Sequence, residues 1–205
     1  MCADDRQTND DVAFLRALAE GGISGAVRGG AILLAVGLIF GLVAAQYWAI
    51  DSGRLHVSPA ARTWLWLDGL VPFLICLAVI SRKFPGRSPG IASRSLAAAW
   101  SGMGAAFIAA DAALIAASRT LGVPLLVKWM FPLVLFTLMG AAWGVAFAVR
   151  RRLVFGVVAG GCFVAAILCG AVMSRPQEWL VLSGGLILLV VAPGAMILRA
   201  GTRQH

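Results

Sequence analysis

The chain has 205 residues, of which 60% are hydrophobic and only 13% are charged, and its mean hydropathy is +0.91. Soluble domains contain about 45–50% apolar and about 25% charged residues, so this composition excludes a soluble enzyme, a disordered protein and a disulfide-stapled miniprotein. The net charge is +8, but the basic residues stand in short clusters between apolar runs, which favours orientation in a lipid bilayer and argues against a nucleic-acid partner.

The first 29 residues form a predicted cytoplasmic leader, in which 10–20 are expected to form a short amphipathic helix that Gly21-Gly22 ends. Membrane-surface helices are usually basic, whereas this stretch carries three acids against one arginine. Its acidity favours docking to a cytoplasmic protein partner, and packing under the bundle is the alternative. The predicted partner-binding stripe consists of Phe14, Leu15 and Leu18.

Six apolar stretches follow the leader. A bilayer core of ~30 Å needs about 20 apolar residues per helix, and the sequence contains six runs of about that length. The segment 30–199 is therefore predicted to be a six-helix transmembrane bundle, and 200–205 a cytoplasmic tail. The predicted spans are 31–50, 64–80, 96–117, 125–149, 153–173 and 179–198.

The distribution of basic residues predicts the orientation of the spans. Of the 17 Lys and Arg residues, 12 fall on the side of the two termini and 5 on the other side. Because basic loops are retained in the cytoplasm, both termini are predicted to be cytoplasmic and the spans to form three helical hairpins. The excess of 15 Arg over 2 Lys suggests a GC-rich genome, and hence multi-pass insertion in a bacterial inner membrane.

Small residues recur at helical spacing and predict close packing of the spans. Lipid gives no hydrophobic reward for helix association, so small residues that let two backbones approach become important. The third span has one broad face of alanines and is expected to lie at the centre of the bundle. The same small faces would also serve a homo-oligomer. The predicted packing pairs are Gly37 with Gly41, Gly140 with Gly144, and Gly156 with Gly160.

Asp111 is an acid inside the third span. Such a residue costs roughly 2.5–3.5 kcal/mol on insertion scales and is by default a functional hypothesis. The predicted ion or substrate pocket, near the outer ends of the helices, joins Asp111 with Asp68, Lys128 and Gln46. The alternative is structural, with Asp111 in a salt bridge to Lys128, Arg119 or Arg54.

Enzymatic motifs are missing from the sequence. It contains two histidines, His56 and His205, so an opposed pair of histidines for haem is absent. The sequence also lacks HExxH, GxSxG and phosphate-loop patterns. We therefore predict no catalytic residues, no metal site and no cofactor.

The leader runs as DDVAFLRALAEGG into Arg28-Gly29-Gly30 and a first span that ends QYWAI. In this part the chain resembles small six-span inner-membrane proteins of GC-rich proteobacteria, a resemblance that carries no known activity. The layout is also similar to that of bacterial membrane anti-sigma factors, which implies a soluble partner held by the leader. The leading hypothesis is thus a non-enzymatic accessory or regulatory subunit.

The alternative hypothesis is a small permease or channel that uses the pocket around Asp111. Transporters often contain discontinuous helices, and prolines mark where these could occur. The candidate breaks are Pro72, Pro132 and Pro193.

Overall fold

The structure, a computed structural model, describes residues 4–65, 67–84, 91–123 and 126–202, almost all of them helical. Side chains are described from residue 27 onward, with a few further gaps. The elements are α1 (Asp4–Asp51), α2 (Pro59–Trp64), α3 (Leu67–Lys83), α4 (Ile91–Leu121), α5 (Leu126–Arg150), α6 (Leu153–Ala171), α7 (Gln177–Leu186), a π-helical turn (Ile187–Val191) and α8 (Ala192–Thr202).

Five stretches of helix in the described residues are long and apolar enough to cross a membrane. The 17-residue helix α3 is the sixth apolar helix. These helices confirm the predicted all-helical membrane class, because their lengths match the thickness of a bilayer core. The five stretches are Val27–Asp51, Arg94–Leu121, Leu126–Arg150, Leu153–Ala171 and Gln177–Ala200.

Helix α1 is a single helix of 48 residues that contains both the leader and the first span. The predicted helix end at Gly21-Gly22 is therefore wrong. A terminating glycine adopts a left-handed conformation, and among the described residues the glycines with positive φ are Gly53 and Gly122, beyond the ends of α1 and α4. Glycine inside a helix costs only about 1 kcal/mol relative to alanine, so the helix continues. The bundle also begins earlier than predicted, because Val27 is already buried.

Helix α1 packs antiparallel against two neighbours, α3 and the α7–α8 segment. Phe40 contacts Phe73 on α3, with ring centroids 5.7 Å apart. Nearer the leader, Arg28 donates to Ser81 Oγ at 3.3 Å. On its other side, Gly41 accepts a buried hydrogen bond from Ser183 Oγ at 2.8 Å. Such interhelical hydrogen bonds stabilise membrane bundles where apolar burial cannot.

The core lies between α5, α6 and the α7–α8 segment. Trp143 is 2% exposed, and it stacks on Phe155 of α6 with ring centroids 5.6 Å apart. Trp143 also makes an edge contact with Trp100 of α4. Aromatic pairs of this kind add to packing beyond the area they bury. Other core residues include Phe136, Met139, Cys162, Cys169, Leu182, Leu186 and Val190.

Four of the six glycines predicted to pack have close neighbours on another helix. An added Cβ would lie 2.6 Å from Val191 at Gly37, 3.4 Å from Ile187 at Gly41, 2.9 Å from Phe163 at Gly140 and 3.3 Å from Phe147 at Gly156. At Gly144 and Gly160 no described residue lies within 4 Å of an added Cβ, so the structure shows no helix packed on these two glycines. The Gly37 and Gly41 pair is therefore the one pair in which both members pack.

Helix α4, expected at the centre, lies at the edge of the bundle. Only 6% of the most apolar stretch of α4 is buried, against 39% of the corresponding stretches of α5 and α6. It contacts α5 through its large side chains, including Phe107, whose ring lies 5.2 Å from that of Phe131. The alanine face is therefore turned away from α5. Its exposed members include Ala98, Ala105, Ala106, Ala109, Ala113 and Ala116.

Only one of the three candidate proline breaks coincides with a change of helix type. Pro72 and Pro132 lie inside the continuous α-helices α3 and α5. Pro193 follows the π-helical turn, in which the Ala192 N–H donates to the carbonyl of Ile187. Proline has no N–H to continue the α-helical ladder, and the wider turn re-pairs the backbone locally.

Candidate functional site

A network of charged and aromatic side chains surrounds Asp51, the last residue of α1. A carboxylate at a helix C-terminus is disfavoured by the partial negative charge of the last carbonyls, so Asp51 needs donors from elsewhere. Lys128 Nζ lies 2.6 Å from Asp51 Oδ2, and Trp179 Nε1 donates to the same oxygen at 3.0 Å. Arg62 pairs with Asp51 Oδ1. Both carboxylate oxygens are thus occupied.

The ends of four helices bring these donors to Asp51. Lys128 lies in the first turn of α5 and Trp179 in the first turn of α7. Arg62 comes from the short helix α2, whose N-cap Ser58 accepts from the Ala61 N–H, which is a common way to satisfy the first turn of a helix. Tyr47 of α1 stacks on Trp179 with ring centroids 4.8 Å apart. We call this end of the molecule the Asp51 end.

A cavity of about 190 Å³ lies beside the Asp51 network. Both acidic and basic side chains reach its wall, together with a hydroxyl and an indole. We call it the Asp51-end cavity. Its lining residues are Asp51, Lys128, Trp129, Ser174, Arg175, Pro176 and Glu178.

Glu178 is the most buried charged residue of the cavity wall, at 3% exposure. Its Oε2 accepts the Ser174 backbone N–H at 3.2 Å. Its Oε1 is buried and accepts no hydrogen bond from the described residues. Buried polar atoms in native structures nearly always have a partner, so this oxygen distinguishes Glu178 from the saturated Asp51.

The loop between α6 and α7 holds Ser174 in a strained conformation. Ser174 has φ of +68°, a left-handed geometry that is uncommon for residues other than glycine. This geometry presents the Ser174 N–H to Glu178. Strain of about 1–3 kcal/mol at such positions often accompanies binding sites. Glu178 itself lies in the first turn of α7, where the helix dipole favours a negative charge.

The structure does not assemble the pocket that the sequence predicts. Of its four residues, Lys128 lines the cavity, whereas Gln46 and Asp68 are exposed and do not line it. Asp111 lies in the middle of α4, and its Oδ1 is buried without a hydrogen bond from the described residues. The carboxylate that pairs with Lys128 is Asp51, a residue that sequence analysis missed.

None of the three cations proposed for Asp111 pairs with it in the described part of the chain. Lys128 pairs with Asp51, and the Arg54 guanidinium lies 4.7 Å from the Trp48 ring centroid. Arg119 is exposed in the last turn of α4. The predicted salt bridge of Asp111 with Lys128 is therefore not formed, because Lys128 lies at the start of α5 beside the end of α1 and pairs there with Asp51.

Two further predictions concern the protein partner and metal ions. The side chains of Phe14, Leu15 and Leu18 lie outside the described residues. Within the described part, no three His, Cys, Asp or Glu side chains are grouped as a metal site would require.

Local sequence patterns contain a hint of the missed residues. Asp51 directly follows the apolar run of the first span, at a helix end where an acid is unfavourable without a cation. Glu178 directly precedes Trp179 at the start of the last span. The sequence does not show that these two helix ends meet, because residues 51 and 179 are 128 positions apart.

Comparisons with known proteins return nothing for this chain: no family model matches it, and neither a curated protein nor a solved structure is similar.

Proposed function

We propose that this protein is a membrane-embedded accessory or regulatory subunit whose leader binds a cytoplasmic protein. The observation that carries the proposal is the continuity of α1, which runs without a break from Asp4 to Asp51. At 1.5 Å per residue, its 48 residues extend over about 72 Å, far more than a bilayer core. A partner held at the leader would thus be joined by one helix to the Asp51 network.

The proposed orientation has both termini in the cytoplasm of a bacterial cell and the Asp51 end outside its inner membrane. The excess of basic residues on the side of the termini supports it. In this orientation the spans form three hairpins. Antiparallel packing of α1 with α3 and of α4 with α5 agrees with two of the hairpins.

Affinity purification of the full chain, in a mild detergent and from cells of its source, tests whether the leader binds a partner. The test variant replaces Phe14, Leu15 and Leu18 with serine. The matched control combines Ala13→Ser with Arg16→Gln, on the opposite face of the helix. We expect a soluble protein to co-purify in stoichiometric amounts with the full chain and the control, and to be lost with the triple variant. Equal recovery with all three would refute the proposal.

A deletion provides an independent check, and the structure shows where it must stop. Val27 is buried, and an added Cβ at Gly30 would lie 3.0 Å from the Gly194 carbonyl oxygen. Removing residues 4–25 therefore takes away most of the leader, including Phe14, Leu15 and Leu18, and keeps the first packed turn of the bundle. The truncated chain should remain monodisperse in detergent and lose the partner.

A small permease is the second candidate, and the Asp51-end cavity is the observation in its favour. The cavity holds Lys128 and two carboxylates, which could bind a charged solute before transport. Eight residues further along α5, about 12 Å at helical rise, Phe136 is fully buried. A transport cycle would have to open this apolar core. Uptake of a charged solute into proteoliposomes that Glu178→Gln abolishes would favour the permease over the regulatory subunit.

A further inference from the structure

The charges in the wall of the Asp51-end cavity are not equivalent. Asp51 receives Lys128 and Trp179 on Oδ2 and Arg62 on Oδ1, so its oxygens have little capacity for a ligand. Glu178 has one oxygen without a hydrogen bond from the described residues. The acid that can still accept a hydrogen bond is therefore Glu178.

The basic residues of the wall are also only partly engaged. The Lys128 ammonium has three donors, and Asp51 takes one of them. Arg175 is exposed at the cavity, and within the described ranges no carboxylate pairs with it. Lys128 and Arg175 can thus both donate to an anionic group that enters the cavity.

The unused donors of Lys128 and Arg175, together with a buried carboxylate that has one oxygen without a partner among the described residues, limit the kind of ligand that fits. An anion alone would meet the Glu178 carboxylate, and a cation alone would meet Lys128 and Arg175. A molecule that carries an ammonium group and an acid group satisfies both sides, since opposite charges at short range attract strongly in a partly buried site.

The volume limits the size of such a molecule. The cavity measures about 190 Å³, below the roughly 300–1,000 Å³ that is typical of pockets for drug-sized ligands. A water molecule occupies about 30 Å³ in the liquid, so a nucleotide or a peptide is too large. A solute of roughly six to eight non-hydrogen atoms fits.

We propose that the Asp51-end cavity binds a small zwitterion, with the Glu178 carboxylate accepting from its ammonium group and with Lys128 and Arg175 donating to its acid group. Two sources offer this chemistry, a free amino acid and the headgroup of an ethanolamine phospholipid. The site requires neither the leader nor its partner, so it is independent of the proposed regulatory function.

Calorimetric titration of the purified full chain, in an uncharged maltoside detergent, tests the inference. The probes are β-alanine and phosphoethanolamine as zwitterions, ethanolamine as the cation alone and inorganic phosphate as the anion alone. We expect one of the zwitterions to bind at least tenfold more tightly than either single-charge probe. Tighter binding of β-alanine indicates a free amino acid. Tighter binding of phosphoethanolamine indicates the lipid, and nanodiscs of phosphatidylethanolamine should then block that binding while nanodiscs of phosphatidylglycerol should not.

Three variants connect the binding to the named residues. Glu178→Gln keeps an acceptor for the Ser174 N–H and should weaken zwitterion binding about tenfold, without weakening phosphate binding. Arg175→Gln changes an exposed residue, so folding is preserved, and it should weaken the zwitterion to a similar degree. Arg54→Gln is the matched control, because Arg54 lies over Trp48 outside the cavity, and it should bind as the unmodified chain does.

Three results would overturn the inference. One is the absence of saturable binding by both zwitterions. Another is phosphate or ethanolamine binding as tightly as the zwitterion. The third is zwitterion binding that is the same in Arg175→Gln as in Arg54→Gln.

Discussion

Helices α1 and α4 are both long and rich in small residues, yet only α1 packs on its neighbours through them. Gly37 of α1 lies against Val191, whereas no described residue lies within 4 Å of an added Cβ at Gly102 of α4. Helix α4 contacts its neighbour through Trp100 and Phe107 and leaves its alanines exposed. Small residues therefore permit close approach, but they determine packing only where a neighbouring helix is shaped to meet them.

The acids of the two helices differ in the same way. Asp51 ends α1 and has three donors from α2, α5 and α7. Asp111 lies within α4, and its buried Oδ1 has none among the described residues. In the sequence, an acid inside a span such as Asp111 is a stronger signal than an acid at its end. The network nevertheless forms around Asp51, where the ends of several helices meet. The charged side chains therefore meet where several helix ends lie together, and not at the acid deepest in a span.

The largest effect is expected from a substitution that blocks the α1 interface. In Gly37→Leu, the Cβ would lie 2.6 Å from Val191 Cγ2 and 3.0 Å from its backbone nitrogen. We expect a loss of about 3 kcal/mol in the free energy of unfolding, as for strong overpacking. Gly102→Leu, in open space, should change it by less than about 0.5 kcal/mol. Unfolding in mixed micelles, followed by tryptophan fluorescence, measures both, and equal losses would remove the contrast between α1 and α4.

The two acids provide the second comparison. Asp51→Asn removes the charge that holds Lys128 and Arg62, and we expect it to destabilise by about 1–2 kcal/mol, since these donors are partly exposed to solvent. Asp111→Asn removes an unpaired charge and should cost less than about 0.5 kcal/mol or stabilise the protein. The same unfolding measurement distinguishes them. A larger loss for Asp111→Asn would mean that Asp111 has a partner in the folded protein.

The smallest effect concerns two serines that form different hydrogen bonds. Ser183 donates to the Gly41 carbonyl on α1 at 2.8 Å, whereas Ser101 donates to Ala98 within α4 itself. Ser183→Ala should lower the free energy of unfolding by about 1 kcal/mol, the usual net value of a hydrogen bond. Ser101→Ala should have less than half of that effect. If the two variants unfold alike, the bond to Gly41 contributes nothing to the α1 interface.

The sequence predicts that α4 has two different faces, but it does not predict which of them turns toward the bundle. The sequence separates an alanine face from one that carries Trp100, Phe107 and Asp111, and the structure keeps this division. We expected the alanines to face inward, and the aromatic face does so. Periodicity determines which residues share a face, but the direction of a face depends on the helices around it. In lipid, both faces are apolar enough to be exposed.

By itself, the sequence determined the membrane class and the approximate helix bounds. These follow from local quantities, because about 20 apolar residues fit the bilayer core. Only the tertiary structure decided that α1 continues through Gly21-Gly22, that α4 lies at the edge, and that Lys128 pairs with Asp51 rather than with Asp111. The physical reason is distance along the chain. Lys128 and Asp51 are 77 residues apart, and their ion pair exists because antiparallel packing brings the end of α1 beside the start of α5.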